Sequence, residues 1–183
     1  IKTYDTFRKE ANKYKKILLE YKNNGTVFTD PNFHPSAQII ESKSCFEGND
    51  IEWVRVNSIS SSPLFQKDLI SPDFIRMGEI NNSHFLTAIL RASRQPENIP
   101  KFFNKITSNQ VFGKVKDTIN IDCGAVVVYF HCYGQKTPVL IDTLLPMKNG
   151  KLIFSNLIDD KKSPWFLLVE KAYAKLNGSY SNI

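Results

Sequence analysis

The apolar positions of residues 2–22 fall at Tyr4, Phe7, Ala11, Tyr14, Leu18 and Tyr21, in alternating steps of three and four. That spacing lays one seam along a helix and predicts an amphipathic α-helix. Its other faces carry Lys2, Arg8, Lys9, Lys13, Lys15, Lys16 and Lys22 against Asp5, Glu10 and Glu20. The seam is short and aromatic, which argues against an extended coiled coil and for docking on the chain's own body. Docking of the basic faces on a partner is the second reading. Asn23-Asn24-Gly25 ends the helix, with Gly25 suited to a left-handed cap.

From 26 to 72 the pattern is broken by Pro and Ser, with brief apolar runs such as 51–56, so this segment is expected to wrap the surface in short strands and turns. Trp53, Leu64 and Phe65 are its core anchors, and Ser58 with 60–62 forms a polar turn. Helical period returns over 82–92, where Asn82 or Ser83 is expected to cap and His84 to sit half-buried, and Pro96 stops it. A short helix is expected over 99–106. Two strands follow, 124–133 and 137–143, joined through Gly134-Gln135-Lys136 as a hairpin rich in Val, Tyr and Phe. Residues 145–150 turn the chain into a third strand, 151–155. Pro164 opens a last helix through Leu176, closed by Asn177-Gly178. Helices around a small antiparallel sheet predict an α+β fold, with residues 1–24 an N-terminal basic helix and 25–183 one lobe.

Composition narrows the function classes. The 183 residues are 42% hydrophobic and 23% charged, as in globular proteins. No apolar stretch is long enough to span a membrane, and the lysines interleaved with the first apolar residues do not fit a signal peptide. Cys45, Cys123 and Cys132 make no even framework and no C-x-x-C pair, so reduced thiols in the cytosol are expected. The sequons at Asn24, Asn81 and Asn177 are then chance matches. His131 and Cys132 point to opposite faces of their strand, which disfavours a metal there. A net charge of +6 and a pI near 9.2 favour an acidic partner. Without a recognition motif or phosphate loop, nucleic acid is not the expected one.

The stretch from Met77 to Leu90, MGEINNSHFLTAIL, leads a loop into a buried helix. It resembles, position for position, the Gln-Gly-x-x-Gly-Asp-Cys-Trp-x-Leu turn of the calpain-like cysteine proteases, of papain-like fold. The likeness continues through FTDPNF (28–33), IEWVRVNSI (51–59), PLF (63–65), ISPDFIRMG (70–78), LIDTLLPMKNGKLIFSN (140–156) and WFLLVEKAYAKLNGSY (165–180), in order and at family spacing. The resemblance implies the first lobe of the protease core, with a central buried helix. The resemblance places the family's histidine and asparagine in a second lobe, expected to be absent from these 183 residues, whether the parent protein continues beyond them or has lost it.

The departures fall on the chemistry. The resemblance puts Ser83 at the nucleophilic cysteine, Met77 at the oxyanion glutamine, Asn81-Asn82 at the Gly-Asp pair and His84 at the tryptophan. A serine needs an oriented base where a thiol does not, and a thioether donates nothing to an oxyanion. Ser83 and His84, adjacent on a helix, do not face each other. No catalytic residue is therefore expected. The family's calcium-binding carboxylates fall on Phe74 and Ser163, with Asp73, Asp159 and Asp160 nearby, so no cofactor and no calcium are expected. Members of the resembled family with degenerate sites occur, notably in protists, and several are attached to the cytoskeleton or microtubules. That analogy implies a non-catalytic structural module, cytoplasmic and cytoskeletal, in a cilium or flagellum among other sites, with tubulin or another acidic protein as partner and neither membrane nor nucleic acid. An active peptidase using Ser83 with a second lobe, and a pseudoenzyme that binds peptides in the old cleft, are the alternatives.

Overall fold

The computed structural model describes residues 4–36, 39–40, 51–78, 82–103 and 121–183. Its helices are α1 (Tyr4–Asn24), the single turn α2 (Val56–Ile59), α3 (Ser83–Ser93) and α4 (Trp165–Asn177). The strands are β1 (Glu52–Arg55), β2 (Ile75–Arg76), β3 (Ala125–Cys132), β4 (Gln135–Asp142), β5 (Leu144–Lys148), β6 (Lys151–Leu152) and β7 (Asn156–Leu157). All the described pairing is antiparallel: a sheet in the order β1-β5-β6, the β3–β4 hairpin, and the short β2–β7 ladder.

The hairpin is the middle layer of the molecule. Side chains alternate across a strand, and here both faces are covered. Val126, Val128, Val139 and Ile141 join the main core with α3 and α4, while Ala125, Val127, Tyr129 and Leu140 join a second cluster under α1. The α1 seam supplies Leu18, buried, and Phe7, Tyr14, Ile17 and Tyr21, half-buried. Phe7 meets Tyr129 at 6.1 Å between ring centroids, and Tyr21 stands edge-on to Phe28 at 5.2 Å. Docking on the chain's own body is thus the role of this seam, and Gly25, at φ 64°, closes the helix.

Elsewhere the elements shift from the pattern-based expectation for identifiable reasons. The β3–β4 turn is Tyr133-Gly134, both at positive φ (53° and 75°), so β4 begins at Gln135 and not at 137. Two left-handed residues match the twist of a hairpin, and that tighter turn wins over a three-residue loop. A turn is expected over 145–150, but Leu144–Lys148 form β5 against β1, with Trp53 opposite Pro146. Pro146 is tolerated because its carbonyl accepts from the Ile153 N–H at 3.3 Å, so the side of its missing N–H faces away from β1 and lies where the β5–β6 ladder ends. Asn149 and Gly150, at φ 50° and 74°, make the real turn. The strand after it shortens to Lys151–Leu152. The short helix expected over 99–106 is a 3-10 helix, Pro96–Phe102, and 104–106 lie outside the described residues. Pro100, inside the segment, lacks the N–H that α-helical bonding would use there, whereas Pro96 stands at the first position, where none is needed. Leu64 and Phe65 are core residues, and Trp53 packs half-buried beside a third cluster of Phe33, Ile40, Ile153, Phe154, Ala174 and Tyr180. Ser60 is buried, its hydroxyl donating to the carbonyls of Asp160 and Lys162, so the serine turn ties the 51–62 segment to the entry of α4.

Candidate functional site

The loop that feeds α3 is held at both ends. Gly78 lies against the backbone of the segment after β6: a Cβ there would stand 1.6 Å from the Phe154 carbonyl oxygen. Only glycine permits that approach. Residues 79–81 lie outside the described residues. Asn82 occupies the N-cap position but makes no side-chain cap bond. Its amide Nδ2 instead donates to the Glu170 carboxylate and, at 3.3 Å, to the Ser155 hydroxyl. The expected cap is therefore corrected: a buried carboxylate on α4 takes the Asn82 side chain that would have capped α3. Ser83 is the first helical residue and is exposed, its carbonyl accepting from the Thr87 hydroxyl at 2.7 Å. His84 is exposed too, not half-buried, because the first turn of α3 turns Phe85 and Leu86, rather than His84, into the core.

Glu170 is the centre that pattern reading missed. It is completely buried in the middle of α4, and its carboxylate accepts from the Ser155 N–H at 3.2 Å, from the Ser155 hydroxyl and from Asn82. Burial outweighs these donors and pushes its pKa up from 4.5 to about 7. Asn82 Oδ1 and the Tyr180 hydroxyl are buried with no partner among the described residues. Burial holds the Tyr180 phenol well above its ordinary range, and the charge of Glu170 adds to that. A carboxylate inside the apolar run WFLLVEKAYA was the available signal.

Met77, at the position that the resemblance gives to the oxyanion donor, is 54% exposed. Beside the start of α3 lies a cavity of about 440 Å³ lined by His84, Phe85, Ala88, Phe130 and Tyr173 among others, with Phe85 stacked on Tyr173 at 5.5 Å. At the two positions aligned with calcium carboxylates the donors are poor. The Phe74 ring carries the Lys162 ammonium 4.3 Å from its centroid. Ser163 is buried, its hydroxyl donating to the Leu64 carbonyl and its N–H to the Leu69 carbonyl at 3.2 Å. Neither position presents a carboxylate. Asp159, half-buried, is held below the usual carboxylate range first by the Lys161 N–H. His131 is exposed on β3 and Cys132 is half-buried, and no cluster of metal-binding side chains occurs among the described residues.

With this geometry in view, relatives are informative. A sequence model of the calpain family cysteine proteases matches residues 28–183. Calpain-A of Drosophila melanogaster is 32% identical over 171 residues, covering 93% of this chain and 19% of that protein. Calpain-B of the same fly is 33% identical over 157 residues, 86% of this chain and 16% of its own. The human calpain-1 catalytic subunit is 28% identical over 171 residues, 91% of this chain and 22% of its own. The chain belongs to the calpain family, and its α+β fold is that of the calpain protease-core domain. It spans about a fifth of the length of these relatives. Among the described residues, no helix is long and apolar enough to cross a membrane.

Proposed function

We propose that this chain is a non-catalytic calpain-like module, a pseudoprotease serving as a structural or scaffolding protein. The observation that carries the reading is the start of α3: a serine hydroxyl where the family's thiol would stand, following an asparagine whose side chain is committed to Glu170. Loss of one oxyanion donor alone slows acyl transfer on the order of a hundredfold, and the exposed thioether of Met77 offers no donor in exchange. Calcium plays no part in this reading, since Phe74 and Ser163 present no carboxylate. The excess of lysine and arginine supports an acidic protein partner, tubulin or another cytoskeletal component, in the cytoplasm and in structures such as an axoneme.

The test is to incubate the protein with casein and with serine- and cysteine-reactive probes, alongside the Ser83→Cys variant. Neither protein should cut casein, and no probe should label Ser83. Labelling of Ser83, or turnover by the parent protein, would establish the alternative of an active peptidase using Ser83, and turnover by the Ser83→Cys variant would refute the argument from the missing oxyanion donor. Microtubule co-sedimentation tests the cytoskeletal part, and a protein that stays in the supernatant at every salt concentration overturns it. A second reading, peptide binding without cleavage, draws on the aromatic cavity beside α3. Peptide-induced shifts of the Phe85 and Tyr173 resonances would favour it.

A further inference from the structure

We infer that the outer face of α1 is a docking surface for an acidic polypeptide segment that carries an apolar residue among its carboxylates. The helix has two jobs written on two faces. Its inner face is consumed by the hairpin: Leu18 is buried and Phe7, Tyr14, Ile17 and Tyr21 pack against Phe28, Val127, Tyr129 and Leu140. Its outer face exposes Arg8, Lys9, Lys13, Lys15, Lys16 and Lys22, and of the described acids of the helix Glu20 is exposed and Glu10 half-buried. At 1.5 Å per residue the cations run along about 21 Å of helix. Lys9, Lys13 and Lys16 follow one another at steps of four and three, spacings at which like charges repel. Carboxylates from a partner would relieve that repulsion.

The face also has a centre. Leu19 is 44% exposed, and Lys15, Lys16 and Lys22 lie four and three residues before it and three after it, its neighbours on the helix surface. An apolar side chain framed by cations fits a protein partner, where a small desolvated centre and a charged rim divide affinity and steering between them. A bilayer fits less well. An interfacial helix must bury an apolar face in the headgroup region, and the apolar face of α1 is already against β3 and β4. Single-stranded nucleic acid fits less well too, because the described aromatics of α1, which could stack bases, are turned inward. The family match begins at residue 28, after α1, so this surface is not part of what defines the calpain core. It rests on the scaffold reading only for its setting.

The experiment uses the full 183-residue chain and a fluorescent glutamate-rich helical peptide with leucines along one face, titrated by anisotropy. Phosphatidylserine vesicles and a single-stranded oligonucleotide form the comparison arms. Binding of the peptide should weaken as salt rises, because exposed charges are screened beyond about 8 Å at physiological ionic strength. Lys9→Glu/Lys13→Glu/Lys16→Glu should lower peptide affinity at least about tenfold, and Leu19→Ser should lower it several-fold with little change in salt dependence. Circular dichroism checks the fold. Should the triple reversal unfold, the corresponding Lys→Gln variant, which keeps good helix formers, takes its place. Unchanged peptide binding in the triple variant, or tighter binding to vesicles or oligonucleotide than to peptide, overturns the inference. Peptide binding without microtubule pelleting would keep this surface and remove only the cytoskeletal reading.

Discussion

Glu170 and Lys171 are neighbours on α4, both fully buried, and the protein treats their charges in opposite ways. Lys171 meets a counter-ion: its ammonium lies 2.5 Å from Asp142 and also donates to the Leu144 carbonyl. Asp142 is itself saturated, accepting from the N–H groups of Asp30 and Leu144 at 2.8 Å each. Glu170 has only neutral donors, Asn82 and Ser155. Burial disfavours the charged form of both side chains, but only Lys171 has an opposite charge working against it. At one site a counter-ion opposes the loss of charge, although burial still lowers the Lys171 pKa below its ordinary value. The other can lose its charge by taking up a proton, and it does so next to the residue that starts α3.

The largest effect separating the two sites comes from Lys171→Met. It leaves Asp142 buried and without its cation, and breaking a buried pair from one side costs about 3–5 kcal/mol. Urea denaturation at neutral pH should show that loss, and a variant as stable as the parent would mean that the pair contributes nothing.

The next effect is pH-dependent and belongs to Glu170 alone. Its folded pKa, about 7, lies above the ordinary 4.5. The folded state therefore holds the proton more tightly than the unfolded chain. The stability from this group is full below about pH 4.5, declines as pH rises, and is gone above about pH 7, a span worth about 3 kcal/mol. Glu170→Gln should remove this slope from the urea midpoints. A slope that survives in the glutamine variant would assign it to another group.

Gly78→Ala sharpens the contrast from the other side, because the Phe154 carbonyl it would strike belongs to the segment that presents Ser155 to Glu170. Overpacking of this kind costs about 1–3 kcal/mol. The accompanying expectation is a changed pH slope, since moving Ser155 alters the donors around Glu170. A destabilised variant with the parental slope would uncouple Gly78 from that network.

How much of this could be read beforehand follows the range of the interactions. The α1 seam, α3, β3 and α4 were legible because periodic spacing and Gly or Pro punctuation are local properties. Residues 145–150 were read as one turn because the pairing of Leu144–Lys148 with β1, far earlier in the chain, is not visible in the segment itself. His84 and Asn82 were misplaced for a similar reason: capping propensity knows nothing of a carboxylate 88 residues away in sequence. Ser83 and Met77 could be placed by likeness to the family. The pairing of Glu170 with the start of α3 could not, since a charged residue in a helix is ordinarily solvent-facing.

The smallest expected effect tests whether water access, rather than ion pairing as such, sets the scale. Lys175 sits one helical turn after Lys171 and repeats its arrangement, with an ammonium 2.5 Å from Asp30 and 2.7 Å from the Leu140 carbonyl. Its side chain is 19% exposed where that of Lys171 is 0% exposed. In Lys175→Met, water can reach part of the space the ammonium leaves. The Asp30 carboxylate also keeps the Asn32 N–H at 3.0 Å. The loss should therefore be about 1 kcal/mol, near the upper end for solvent-accessible pairs. It should shrink as salt is raised, whereas the Lys171→Met loss should hardly change, because buried pairs are screened much less. Equal losses for the two variants at every salt concentration would show that burial does not distinguish these lysines, and that the Asp30 and Asp142 pairs act as one network.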